Sequence, residues 1–281
     1  LKSGADITAR FLNNIAESFD EPFLAFFTLG HIIMAVFFKD FIKIGVPTLI
    51  LFGESATGKS TIQKSGLFIF AEPRNAIISG GSTLRSTEYI ASKYNAMIIC
   101  VDDLKSSTLQ SSNFTELIKS SYHGTVRTRM TNFGKDVENI QFCSPMVFST
   151  NEKIPNLKEV NNRLNIVEMF GKNFKPEKFK YFETDEDNVK ELSLILPEVL
   201  KFEINKVKEI YNDTLKTLED NVKDTQKRVV NNIAYAYTGV KLLFNIAGIE
   251  RGELDTKLIE YAQAQAKKYD EVQDVVDKVL A

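Results

Sequence analysis

The sequence predicts an α/β fold built around one parallel sheet, and three observations lead there. From Val46 onward, short apolar and β-branched runs bounded by turn residues alternate with helical or loop stretches, the pattern of strands joined by crossovers. The first of these runs ends in a glycine-containing loop that leads directly into a helical segment. After about Lys180 the β-type runs cease, and apolar residues recur at helical spacing instead.

Residues 1–45 read as an N-terminal helical segment packed on the core. Within it, residues 22–38 (PFLAFFTLGHIIMAVFF) are almost wholly apolar and close to the minimum length that spans a bilayer. His31 interrupts the run, Lys39 and Asp40 end it, and a strand follows within a few residues, so a buried core helix accounts for it and no membrane is expected. The chain opens at Leu1 without an initiator Met or a leader pattern, and reads as part of a longer polypeptide.

Five core strands are expected near residues 47–52, 76–79, 96–101, 145–150 and 165–170, within a core spanning 46–180. Between the third and fourth lies an insertion, 125–142, whose alternating residues flank Asn132-Phe133-Gly134-Lys135 as a hairpin turn. Residues 181–281 form a C-terminal helical region. There Leu200, Ile204, Val207, Tyr211, Leu215, Leu218 and Val222 predict one long amphipathic helix, and residues 229–246 and 254–280 two more.

Composition narrows the function. With 35 basic and 37 acidic residues the formal net charge is -2, so no overall basic field draws the chain to nucleic acid, and any such contact is local. Two cysteines, Cys100 and Cys143, sit in apolar runs beside only two histidines. That excludes a disulfide framework and a zinc cluster, and suits a reducing, cytoplasmic setting.

The loop is Gly53-Glu54-Ser55-Ala56-Thr57-Gly58-Lys59-Ser60-Thr61, which fits G-x-x-x-x-G-K-[ST] between a strand and a helix. Its chemistry needs that context: the backbone N–H groups and the helix N-terminus cradle a polyphosphate. Lys59 would then bridge the β and γ phosphates of ATP, and Ser60 would ligate Mg²⁺. The third strand runs into Asp102 and Asp103 at its carboxyl end, where ligands gather in open α/β sheets. Asp102 suits a Mg²⁺ contact and Asp103 a general base for the attacking water. The fourth strand delivers Asn151 to that edge, where an amide can hold the water or the γ-phosphate. Arg163 opens the last strand, and is either an arginine acting across a subunit interface or a member of a structural ion pair. Arg228 is a second such arginine, at the start of a helix that would pack over the nucleotide.

In order, the loop 53–61, the Asp102-Asp103 strand, Phe148-Ser149-Thr150-Asn151-Glu152-Lys153-Ile154-Pro155 and Asn162-Arg163-Leu164 resemble the ATPase of superfamily 3 helicases. The likeness is to the C-terminal helicase part of bacteriophage primase-helicase and primase-polymerase proteins, with Leu29-Gly30 upstream also similar. It implies an AAA+ P-loop NTPase with sheet order 5-1-4-3-2, a homo-hexameric ring with shared ATP sites, movement on single-stranded DNA, and a primase or polymerase region fused upstream. Asn151 becomes the sensor and Arg163 the trans arginine finger. The 125–142 hairpin enters the pore, with Arg127 and Arg129 on one basic face, Lys135 meeting a phosphate and Phe133 pressing on a sugar or base. Two departures stand out: Asp103 occupies a position that is often Glu, and no clear second sensor arginine is present. A protein-remodelling AAA+ ATPase without DNA unwinding shares every nucleotide residue and is the alternative.

Overall fold

Seven strands follow one another as β1 (Thr48–Phe52), β2 (Ile77–Ser79), β3 (Ile99–Asp102), β4 (Val126–Thr131), β5 (Asp136–Gln141), β6 (Met146–Thr150) and β7 (Leu164–Glu168). They come from a computed structural model that describes residues 3–71, 77–94, 96–131, 136–155, 157, 160–171, 174–181, 186–223 and 225–280. Five of them form an all-parallel sheet in the order β2-β3-β6-β1-β7. Every strand of it starts within two residues of its expected place or closer, apart from β3, which begins at Ile99.

Alternation along each strand feeds two cores. Leu49, Leu51, Cys100, Val147 and Val167 face one, whereas Ile50, Ile99, Val101, Phe148 and Leu164 face the other. Burial on both faces is why the runs are continuously apolar. The first core packs under helices α1 (Gly4–Ser18), α2 (Pro22–Ile33), α3 (Phe38–Phe41) and α4 (Lys59–Ile69). The second lies under α5 (Leu84–Lys93), α6 (Ser106–Leu109) and α7 (Ser112–Tyr122). Five further helices follow among the described residues: α8 (Glu186–Leu192), α9 (Ile195–Val199), α10 (Ile204–Asn221), α11 (Lys227–Ala247) and α12 (Leu254–Leu280). The α2 and α11 backbones meet where they cross, since a Cβ on Gly239 would lie 2.0 Å from the Gly30 carbonyl oxygen. Only a residue without a side chain fits there.

Two sequence expectations are corrected. The apolar run is not one helix: α2 ends at Ile33, a 3₁₀ turn covers Met34–Phe37, and α3 follows. Pro22–Phe41 is long and apolar enough to cross a membrane, yet 78% of that window is buried, chiefly against α11 and α4. Leu200 is not on the long helix, which begins at Ile204; it lies in the turn after α9 and is 61% exposed. Phe202, off the helical stripe, packs against the core instead.

The insertion is an antiparallel hairpin paired from Val126↔Gln141 to Thr131↔Asp136. Arg127 and Arg129 are in β4, paired through the backbone with Ile140 and Glu138. Its connection, with Phe133 and Lys135, lies outside the described residues.

His31 yields a pH prediction. Its ring is fully buried on α2, edge-on to Tyr235 at 5.7 Å, and burial pushes its pKa down to about 3, partly offset by the Met146 backbone. The unfolded chain binds a proton below about pH 6.5 that the native chain refuses, so this contribution is complete above 6.5 and lost as pH falls toward 3. Urea unfolding should lose roughly 1.4 kcal/mol per pH unit more in the wild type than in His31→Phe below about pH 6. Equal slopes in the two proteins would remove His31 as the cause.

Candidate nucleotide site

The loop between β1 and α4 is held from both sides of the sheet. Met169 N–H donates to the Phe52 carbonyl at 2.7 Å, and Gly53 N–H to the Thr150 carbonyl at 3.3 Å. Ala56 (φ 63°) and Gly58 (φ 87°) take left-handed conformations that curl the chain back onto the start of α4. A Cβ on Gly58 would sit 2.7 Å from the Phe19 ring, so the position has neither the conformational nor the steric room for another residue. The first N–H groups of α4 face this concavity without helical partners, and the helix dipole adds positive potential.

Lys59 is buried, and its Nζ donates to the Gly53 carbonyl at 2.8 Å, to the Glu54 carbonyl and to Thr57 Oγ1 at 3.3 Å. Burial pushes its pKa down, while Asp102, Asp103 and Glu54 pull it back up. Around the loop lies a cavity of about 460 Å³, lined by residues 55–61, Asp102, Asp103, Asn151, Phe174 and Pro176. A larger cavity of about 620 Å³ lies between β7, residues 153–155 and α12; it contains neither the loop nor the acids.

The two acids end β3 but diverge. Asp102 accepts from Ser60 Oγ at 2.9 and 3.0 Å through its two carboxylate oxygens, and also from Ser149 Oγ. Asp103 adopts a left-handed φ of 58°, which turns its side chain out of line with that of Asp102. Its N–H donates to Ser149 Oγ at 3.1 Å, and its Oδ1 accepts from Asn151 Nδ2 at 3.2 Å. A continuous chain therefore runs Ser60–Asp102–Ser149–Asp103–Asn151 across α4, β3 and β6. Among the described residues no three His, Cys, Asp or Glu side chains converge as a metal cage. The hard oxygens of Ser60 and Asp102 fit Mg²⁺, which takes few protein ligands and completes its shell with water and phosphate.

Other expected residues lie elsewhere. Parallel pairing sets Leu164 opposite Thr48 and Glu168 opposite Phe52, so Arg163 is at the opposite edge of the sheet from its own loop. Its guanidinium sits over the Tyr122 ring at 5.9 Å and donates to Asn162 Oδ1 at 3.3 Å. Burial, then nearby Arg228, lowers its pKa, with Tyr122 opposing. Arg228 is thus beside Arg163 and not over the nucleotide cavity, which corrects the expectation for it. The cause is Asn232, one turn further along α11, which donates to the Asn162 carbonyl at 3.1 Å and accepts at its own carbonyl from Asn165. Those bonds pin the start of α11 to the far edge of β7. Sequence reasoning missed Ser149, although a hydroxyl following the apolar Met146-Val147-Phe148 run, two residues before Asn151, was a usable signal. It also missed Phe174 and Pro176, whose place beside the loop comes from the Phe19↔Phe174 bridge and has no motif.

A family model described as "Family of unknown function (DUF5906)" matches residues 51–165. A search of curated proteins finds none that matches. Among solved structures, "SCCmec type IV Cch - active helicase" superposes with a TM-score of 0.65 at 19% identity, covering 96% of this chain and 54% of that one. The chain spans about half the length of that helicase and shares its fold.

Proposed function

We propose that this chain is the ATP-hydrolysing motor of a DNA helicase, of the superfamily 3, AAA+ type found in phage replication proteins. It would work as a homo-hexameric ring in the cytoplasm, moving single-stranded DNA through the pore, behind a fused primase or polymerase region. The Ser60–Asp102–Ser149–Asp103–Asn151 chain facing Lys59 carries this reading, because it sets a carboxylate suited to a metal and a second carboxylate held by Asn151 side by side at one phosphate loop. The strand order β2-β3-β6-β1-β7 supports it, being 5-1-4-3-2 when the hairpin strands are left out of the count. The shared fold with an active helicase supports it as well.

In this reading Lys59 exchanges its Gly53 and Glu54 carbonyl contacts for β- and γ-phosphate oxygens. Asp103 takes a proton from the water that attacks the γ-phosphorus as the bond to the ADP oxygen breaks, and Asn151 holds the Asp103 carboxylate in place. Ser60 and Asp102 would hold Mg²⁺, which would neutralise charge on the phosphate oxygens when bound. The test is ATP turnover with and without oligo-thymidine, alongside molar mass in solution with nucleotide. Turnover that rises with DNA in a ring-sized species is expected. Turnover indifferent to DNA would favour protein remodelling instead.

A further inference from the structure

Helix α5 carries a feature that the nucleotide chemistry does not use. Arg85, Tyr89 and Lys93 are spaced four residues apart, so they fall on one helix face, and all three are exposed. The opposite face, with Thr87, Glu88 and Ala91, is buried, so the only acid of the helix is turned inward. Tyr89 is 46% exposed, one of the few large apolar side chains left at the surface, and the Lys93 ammonium lies 4.9 Å from its ring centre. Among the described residues neither Arg85 nor Lys93 is in an ion pair. An exposed aromatic ring with one cation over one face and a second cation one helical turn away is what a stacked base with its flanking phosphates requires.

Position strengthens the case. Helix α5 packs against β5 of the hairpin, so the stripe is carried by an element that touches the hairpin. The helix also starts shortly after Gly80, whose N–H donates to the Asp102 carbonyl at 2.6 Å. Gly80 is so close to the acids that a Cβ there would lie 2.2 Å from the Asp103 carbonyl oxygen. The segment leading into α5 is thus in direct contact with the two acids.

We infer that Arg85, Tyr89 and Lys93 form a single-stranded DNA contact, with Tyr89 stacking on a base and the two cations on adjacent phosphates. The inference rests on the motor reading above and adds to it a DNA contact outside the hairpin. The alternative occupant is an acidic polypeptide, for which the aromatic ring would be indifferent.

The experiment is binding of fluorescent oligo-thymidine to the 281-residue chain with a non-hydrolysable ATP analogue, over a range of salt. Tyr89→Ala should weaken binding by about 5- to 150-fold, the range spanned by a lost stack, and Tyr89→Phe should restore it. Arg85→Gln with Lys93→Gln should flatten the salt slope by roughly 0.7 per charge removed, without changing affinity for the ATP analogue. Melting temperatures identify any variant that fails to fold, and in that event the Tyr89→Phe and single-cation variants carry the comparison. Unchanged DNA affinity and slope in folded variants, with wild-type binding intact, overturns the stripe but leaves the motor reading standing. No DNA binding by the wild type overturns both. Equal binding of poly-glutamate and oligo-thymidine at the same salt overturns the DNA assignment in favour of an acidic partner.

Discussion

Replacing Arg163 with alanine should lower ATP turnover by about 10³- to 10⁵-fold, the range of an arginine finger, while nucleotide affinity stays near wild type. The geometry makes this a test between chains. Leu164 pairs with Thr48 and Glu168 with Phe52, so Arg163 is separated from its own loop by the length of β7, roughly 13 Å at the usual strand rise. An effect on catalysis must therefore reach a neighbour's phosphate. Mixing Arg163→Ala with Lys59→Ala subunits should restore activity at interfaces where an intact loop meets an intact arginine. Arg163→Lys should recover little, because a point charge does not reproduce the planar fork. If Arg163 only packs on Tyr122, the alanine variant will melt at a lower temperature but turn over normally per folded chain, and mixing will recover nothing.

What was legible in the sequence follows from how strongly each feature is dictated locally. The central sheet strands could be read because both of their faces are buried, which leaves an unbroken apolar signature at Leu49, Ile50 and Leu51 and again at Val147 and Phe148. The loop could be read because Gly58 has a backbone and a neighbour, Phe19, that admit nothing larger. Placement was harder. That Arg163 opens a strand is a local fact, but which edge of the sheet it occupies depends on the register of β7 against β1, a pairing over a hundred residues apart in sequence. Arg228 was misplaced for the same reason, since Asn232 fixes α11 through bonds to the turn before β7 that no local pattern announces. Leu200 fell on a helical stripe by spacing alone, whereas in the structure it is exposed in the turn before the helix and Phe202 packs against the core.

Asp103→Asn should reduce turnover by about 10²- to 10⁴-fold, the usual contribution of a positioned base, and should leave ATP binding intact. The substitution is well matched to the site. Asp103 occupies a left-handed φ of 58°, a conformation that asparagine tolerates as readily as aspartate, so the backbone and the N–H bond to Ser149 Oγ are kept. The amide oxygen can still accept from Asn151 Nδ2, so the neighbouring side chain is not left without its partner. Asp102, tied separately to Ser60 and Ser149, is untouched, and with it the metal contact. What is lost is the ability to take a proton. The variant should therefore bind a fluorescent ATP analogue with near wild-type affinity, melt at a similar temperature and accumulate unhydrolysed ATP. Asp102→Asn should differ by weakening the Mg²⁺ dependence of nucleotide binding, because it removes charge where the cation is held. Wild-type turnover in Asp103→Asn, with that contrast absent, would show that the proton leaves by another route and that the divergence of the two acids serves the fold of the β3 end and not the chemistry.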